Sequence, residues 1–375
     1  MINRNKKILF ITSSLNMGGI ERVLATCVNE LSQKYSIYVF CLERSEPFYD
    51  LNRNITVLYA PKIFAFTLKA GRLLHNGLKK YFNMNFKLTL WSNIIKKKID
   101  KECFDTVVYL PATFFMFPSL IKSKKNSKNI IWTHNNYKVY IEDYYKYLKN
   151  ELIESLEISD AVISLTEEDK NGFFSYSNTN NIVKINNPLT IANIGKNSNL
   201  KNKIISITCR YSINHKGLDF LLQIGKNIPD DWKIAIAGTG SKKEVKEFKR
   251  LIASHNISSK IILRGAISGE QLCKHYRESS VYIMTSRWEG MPLVLAEAMS
   301  FGLPIISFDN SGANEVLDNG KYGLLVEQGN VENFSKELNR MIPSYELRKE
   351  YSQKSLERII DFDIEHIIKQ WDDIL

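Results

Sequence analysis

The sequence predicts an α/β protein built from two doubly wound domains. Thirteen short apolar runs alternate with amphipathic helical stretches along the chain, the pattern of strand–helix repeats. Several runs are apolar at consecutive positions, as in parallel strands covered on both faces. The length, 375 residues, suits two hydrophobic cores better than one.

In the first half the predicted strands are Lys7–Thr12, Ile37–Leu42, Thr56–Tyr59, Thr106–Leu110, Ile130–Thr133, Ala161–Leu165 and Ile182–Ile185. In the second half they are Ile204–Thr208, Lys233–Ala237, Ile261–Arg264, Val281–Thr285, Pro304–Phe308 and Leu324–Val326. Residues 186–203 are rich in Asn, contain Pro188 and Gly195, and lack periodicity, so they read as a linker. The expected domains are 1–190 and 191–360, with 361–375 returning to the first. A cleft between two such domains is the expected ligand site.

Lys and Arg number 51 against 40 Asp and Glu, a net charge of +11. That balance favours anionic partners. The five cysteines, Cys27, Cys41, Cys103, Cys209 and Cys273, have no metal-ligand spacing and read as buried, reduced thiols. Neither the N-terminal apolar run Ile8–Ile11 nor the uncharged stretch Thr106–Ile121 has the length of a signal core or a span. The expected location is therefore cytoplasmic, extending to the inner face of the cytoplasmic membrane. Residues 62–99 carry nine Lys or Arg, no Asp or Glu, and interleaved aromatics. Such a stretch can rest on anionic lipid, or present a solvated face over a buried apolar side. No nucleic-acid motif accompanies the charge, so no nucleic-acid partner is expected.

The richest segment is VYIMTSRWEGMPLVLAEAMSFGLPIISFD, residues 281–309. A strand ending near Thr285 leads into a loop with Glu289 and Gly290. Pro292 is placed as the first helical residue, and Gly302 stops the helix near Phe301. Glu289 can face a ligand at the helix N-terminus. Glu297, one turn inside, can accept paired ribose hydroxyls. Between them the helix N-terminus, over Met291, Pro292, Leu293 and Val294, offers free N–H groups and positive dipole to a phosphate. Ser286, Glu289, Gly290, Pro292, Glu297, Ala298, Gly302 and Pro304 together resemble the E-x7-E region of the retaining glycosyltransferase family 4, whose fold is GT-B.

That resemblance extends outward. In CRYSINHKG, residues 209–217, Arg210 follows a strand and Lys216–Gly217 open a helix. Two cations so placed suit a diphosphate leaving group, and the family has an Arg…Lys-Gly pair there. His215 between them receives no role. In TSSLNMGGIER, residues 12–22, Gly18 and Gly19 let backbone approach a ligand. The GG-x-E-R string is similar to bacterial polysaccharide members, where this loop lies beside the reactive centre and acceptor. It is not GxGxxG, so no nicotinamide cofactor is expected. His134, at a strand end, matches a position where the family often places a His near the donor sugar. The loops holding Gly238–Gly240 and Gly265 lie where base and phosphates would pass. Asp361-Phe362-Asp363 superficially matches a metal-binding DxD, but it immediately precedes a terminal helical pattern and reads as a cap.

The resemblance implies a retaining, metal-independent transfer without cofactor, the nucleotide-sugar being a substrate. It implies a hexose-type sugar moved to a glycan or lipid-linked glycan acceptor, with Glu289, Arg210, Lys216 and His134 as the catalytic set. An epimerase or hydrolase on this architecture, and a non-catalytic nucleotide- or lipid-binding module, remain the alternatives.

Overall fold

The structure, a computed structural model, describes residues 6–61, 96–97, 100–111, 127–177, 179–191 and 195–375. The basic aromatic stretch 62–99 and the uncharged stretch after Pro111 lie mainly outside them. The chain divides into two compact units, Met1–Pro188 with Ile364–Leu375, and Leu189–Asp363.

Unit 1 runs β1 (Lys7–Thr12), α1 (Gly19–Leu31), β2 (Ser36–Cys41), β3 (Thr56–Tyr59), β4 (Thr106–Tyr109), β5 (Lys128–Trp132), α2 (Lys149–Ile158), β6 (Ala161–Ser164), α3 (Glu167–Ser177) and β7 (Ile182–Lys184). Its sheet has the order β3-β2-β1-β4-β5-β6-β7, and every ladder is parallel. Ile8, Phe10, Ile11, Val107, Val108, Ile130, Ile131, Val162 and Ile163 are buried on both faces, which is why these strands read as unbroken apolar runs. Helix α1 turns Val23, Leu24, Cys27, Val28 and Leu31 inward, a helical apolar stripe.

Unit 2 runs β8 (Ile204–Thr208), α4 (Leu218–Lys226), β9 (Lys233–Ala237), α5 (Lys242–Ser254), β10 (Ile261–Gly265), α6 (Gly269–Arg277), β11 (Val281–Met284), α7 (Leu293–Ser300), β12 (Ile305–Phe308), α8 (Ser311–Leu317), β13 (Leu324–Val326), α9 (Val331–Met341) and α10 (Tyr345–Arg358). Its parallel sheet has the order β10-β9-β8-β11-β12-β13. In both units the order reverses beside the first strand, between β1 and β4 and between β8 and β11. Ligands of open parallel sheets bind beyond the strand C-termini at such switch points.

The predicted strands are all present, with ends displaced by two residues at most. The helix after β11 differs slightly. Pro292 is its N-cap, with φ −74° and ψ 107°, and the helix begins at Leu293. Its end is a Schellman turn: the Leu303 amide donates to Ala298 O at 3.2 Å and the Gly302 amide to Met299 O at 2.9 Å, with Gly302 at φ +68°, the left-handed closure that glycine supplies.

The last helix, α11 (Ile364–Ile374), belongs to unit 1. Trp371 is fully buried, 4.7 Å from Trp132 and 6.0 Å from Phe10 between ring centroids. Asp372 accepts from Lys34 at 2.5 Å and from Tyr35 at 3.0 Å. In the supposed metal motif, Asp361 instead pairs with Arg358 at 2.6 Å. Cys103 is exposed, unlike the buried Cys27, Cys41 and Cys273; it lies at a positive-φ turn before β4.

Candidate active site

The switch point of unit 2 joins the loop after β8 to the loop after β11. Lys216 lies on the first and Glu289 on the second. Lys216 Nζ donates to Glu289 Oε1 at 2.6 Å, with side-chain exposures of 18% and 12%. Burial pushes the Glu289 carboxyl up. The Lys216 charge, with hydrogen bonds from Lys216 and Ser286, outweighs burial and holds it below the ordinary carboxylate range. Glu289 is thus an ionised acceptor at neutral pH.

Close backbone approach makes this meeting feasible. Gly217 has φ +58°, and a Cβ there would lie 1.9 Å from Thr285 O. Thr285 Oγ1 donates to Lys216 O at 2.8 Å. On the far side of Glu289, Ser311 Oγ donates to Glu289 O at 3.3 Å, and Asn310 donates to Ser286 O at 3.3 Å. A Cβ on Gly312 would come within 2.8 Å of Gly290 O. The Glu289–Gly290 turn is therefore held from both sides. Beyond it Met291 and Pro292 are buried, while Leu293 and Val294 are half-buried at the start of α7, whose first amides have no intrahelical acceptor.

Arg210 is not brought to this pair. Its side chain is 68% exposed and faces Glu244 at 3.3 Å. Glu244 is committed to its own helix: it completes the capping box of α5, accepting from the Ser241 amide at 2.7 Å. An exposed pair of this kind is weak, so the long Arg210 side chain is free to turn to a stronger anion.

Glu297 is fully buried. Tyr276 donates to one carboxylate oxygen at 2.8 Å and Thr190 to the other at 3.2 Å. The Thr190 hydroxyl thus occupies a position on Glu297 that a ribose hydroxyl could take. Sequence reasoning missed Thr190, which carries no motif, and Tyr276, which lies on the neighbouring α6.

Gly265 closes β10 at φ +71°, with nothing among the described residues within 4 Å of where a Cβ would stand, and its carbonyl accepts from Gly238 at 2.7 Å. A Cβ on Gly238 would lie 1.8 Å from Cys209 O, so these two loops and the β8 loop lie together. Burial pushes the Cys209 thiol up to about 12, leaving it protonated and unsuited to nucleophilic attack.

In unit 1, Gly18 is the extended N-cap of α1 and Gly19 its first residue. Glu21 Oε2 fills the space beside Gly18, 2.1 Å from where a Cβ would stand. Burial pushes the Glu21 carboxyl up. His134 stands just beyond β5, its ring 4.4 Å from that of Trp132. Its Nε2 is shut off from solvent without a partner among the described residues. Burial lowers its pKa to about 3, so the ring is neutral.

Among the described residues no group of three or more His, Cys, Asp or Glu could hold a metal ion, and no helix is long and apolar enough to cross a membrane.

Comparison with known proteins bears on the family and the fold. The family model for "Glycosyl transferases group 1" matches residues 191–358, nearly all of unit 2. An uncharacterized glycosyltransferase of Haemophilus influenzae is 30% identical over 384 aligned positions, covering 99% of this chain and 100% of the relative. The amylovoran biosynthesis glycosyltransferase AmsD of Erwinia amylovora is 25% identical, covering 99% of each chain. A Campylobacter jejuni enzyme described as a GalNAc-alpha-(1->4)-GalNAc-alpha-(1->3)-diNAcBac-PP-undecaprenol alpha-1,4-N-acetyl-D-galactosaminyltransferase is 24% identical, covering 97% of each. Among solved structures, a mutant of S. aureus TarM in complex with Fondaparinux, alpha-GlcNAc-glycerol and UDP superposes with a TM-score of 0.77 at 17% identity, over 98% of this chain and 99% of that one. It shares the fold.

Proposed function

The chain belongs to the group 1 glycosyl transferases, and from that premise we propose that it moves a hexose-type sugar from a UDP-sugar to a lipid-linked glycan in bacterial surface polysaccharide synthesis. The observation that carries the proposal is the Lys216–Glu289 pair at the switch point of unit 2. It sets a cation for the diphosphate and an ionised acceptor for sugar hydroxyls within one hydrogen bond of each other. UDP is favoured because TarM, which shares the fold, was solved with UDP. A lipid-linked glycan is favoured by the name of the Campylobacter relative, and polysaccharide synthesis by that of AmsD.

In this reading Lys216 and the first amides of α7, at Leu293 and Val294, take up the charge that develops on the departing diphosphate. Arg210 leaves its partner Glu244 to join them. The backbone at Gly265, Gly290, Met291 and Pro292 lines the donor. Glu289 orients the sugar and Glu297 the ribose. Gly18 and Gly19 let backbone approach, and His134 serves as a neutral hydrogen-bonding group, consistent with its unpartnered Nε2. The acceptor oxygen attacks the anomeric carbon from the face the diphosphate leaves, giving retention without a covalent enzyme intermediate. No metal is invoked, because these donors can carry the charge. The enzyme works in the cytoplasm, at the inner face of the membrane that carries its acceptor.

The test is transfer by the purified chain from a panel of UDP-, GDP- and ADP-sugars, with product configuration read by NMR and with chelator added. Inverted product, loss of transfer with chelator, or donor breakdown at the same rate without acceptor would each overturn the corresponding part.

A further inference from the structure

His215 stands between the two loops that meet at the switch point. Its ring is stacked on Trp288, with centroids 4.7 Å apart and planes 10° from parallel. Its Nε2 lies 3.0 Å from Trp288 O. Its own carbonyl accepts from the Arg287 amide at 2.9 Å. The neighbouring Asn214 carbonyl accepts from the Arg287 guanidinium at 2.7 Å, and that guanidinium is anchored on Asp219 at 2.7 and 2.9 Å. Each loop therefore binds the other through both side chain and main chain, directly before Lys216 and Glu289.

We propose that His215 and Trp288 form a clasp that positions Lys216 against Glu289, making His215 a positioning residue for the reactive site. A carbonyl oxygen only accepts, so Nε2 must carry the ring proton. The clasp therefore works with the neutral ring and needs no charge on His215. Burial first, and then the nearby Lys216 charge, push its pKa down, while Glu289 and the Trp288 carbonyl oppose the shift and Arg210 adds to it. The stack fixes the plane of the ring, and the hydrogen bond fixes its height above the loop. Neither contact touches a substrate; both act through the placement of Lys216 and Glu289. The role assigned to those two residues rests on the glycosyl-transfer reading, whereas the clasp itself does not.

The experiment compares His215→Phe, which keeps the stack and removes the donor, with His215→Gln, whose side-chain amide can restore the donor, and Trp288→Leu, which removes the stack. The readout is the rate at which acetic anhydride labels Lys216, followed by peptide mass spectrometry, alongside turnover and donor affinity. Losing one hydrogen bond should raise Lys216 labelling about fivefold in His215→Phe, with Gln returning it towards wild type. Trp288→Leu should raise it too. Turnover should fall about tenfold or more through misplacement while donor affinity changes little. Unchanged Lys216 labelling in His215→Phe and Trp288→Leu would overturn the clasp, whatever happens to transfer. Altered labelling in a protein that transfers no sugar would uphold the clasp and overturn the glycosyl-transfer reading.

Discussion

Lys216 and Glu289, 73 positions apart in sequence, meet at 2.6 Å with both side chains largely withdrawn from solvent. Removing either partner has unequal consequences. Lys216→Ala leaves an ionised carboxylate without its cation, and should cost about 1–3 kcal/mol of stability given that the pair retains some solvent. Glu289→Gln removes the charge and should cost less. Both should lower transfer about a hundredfold or more. Urea unfolding and initial-rate assays on the same preparations check this; near-wild-type rates in both variants would remove the pair from the mechanism.

Gly217 provides a backbone test of the same meeting. Gly217→Ala must accommodate both a positive φ and a Cβ 1.9 Å from Thr285 O. Gly195 has a comparable φ of +70° with nothing within 4 Å of a Cβ among the described residues. Gly195→Ala should therefore show only strain, about 1 kcal/mol, while Gly217→Ala should show more and also lose transfer. Equal unfolding midpoints for the two variants would contradict the close approach.

The buried Glu297 depends on Tyr276 for one of its hydrogen bonds. Tyr276→Phe should destabilise unit 2 by about 1–3 kcal/mol, the cost of weakening the solvation of a buried acceptor. If Glu297 holds a ribose, the same change should alter nucleoside-diphosphate affinity, measured by calorimetry. Thr190→Val, which removes the second donor, should act in the same direction.

Acid should weaken unit 2 through His275. The ring is fully buried, and burial, helped by the Arg264 charge, pushes its pKa down to about 3 from an ordinary 6.5. Below pH 6.5 the unfolded chain binds a proton that the folded ring refuses. The neutral ring's stability is therefore complete above that value and declines as pH falls towards 3. Between pH 7.5 and pH 5 the wild type should lose about 2 kcal/mol more than His275→Phe. Parallel denaturation curves for the two proteins at both pH values would exclude His275 as the cause.

Trp371 ties the chain's last helix to unit 1 through Trp132 and Phe10. Trp371→Ala should destabilise unit 1 by about 3–5 kcal/mol. Hydrogen exchange resolved by peptide would show loss of protection in β1 and β5. Protection unchanged there would mean that α11 contributes little to the core.

The sheets were legible because buried parallel strands need apolar side chains on both faces, and Lys7–Thr12, Ile204–Thr208 and Leu324–Val326 are written that way. The helix around Glu297 was legible for a similar local reason: Pro292 and Gly302 bracket it, and only the first residue was misplaced, since proline's fixed φ suits an N-cap as well as a first turn. Glu289, Lys216, Arg210 and Glu297 could be named from short strings of residues. What each touches could not. A string does not show that Lys216 closes on Glu289 while Arg210, six residues before it, turns to Glu244. Thr190, Tyr276 and the His215–Trp288 stack join segments far apart in sequence, and no local spacing encodes such contacts. The amino-acid order settled the strands, the turn chemistry and the charges available, because these depend on near neighbours. The partner of each charge was decided by the order of strands in the sheet, which alone brings the end of β8 beside the end of β11.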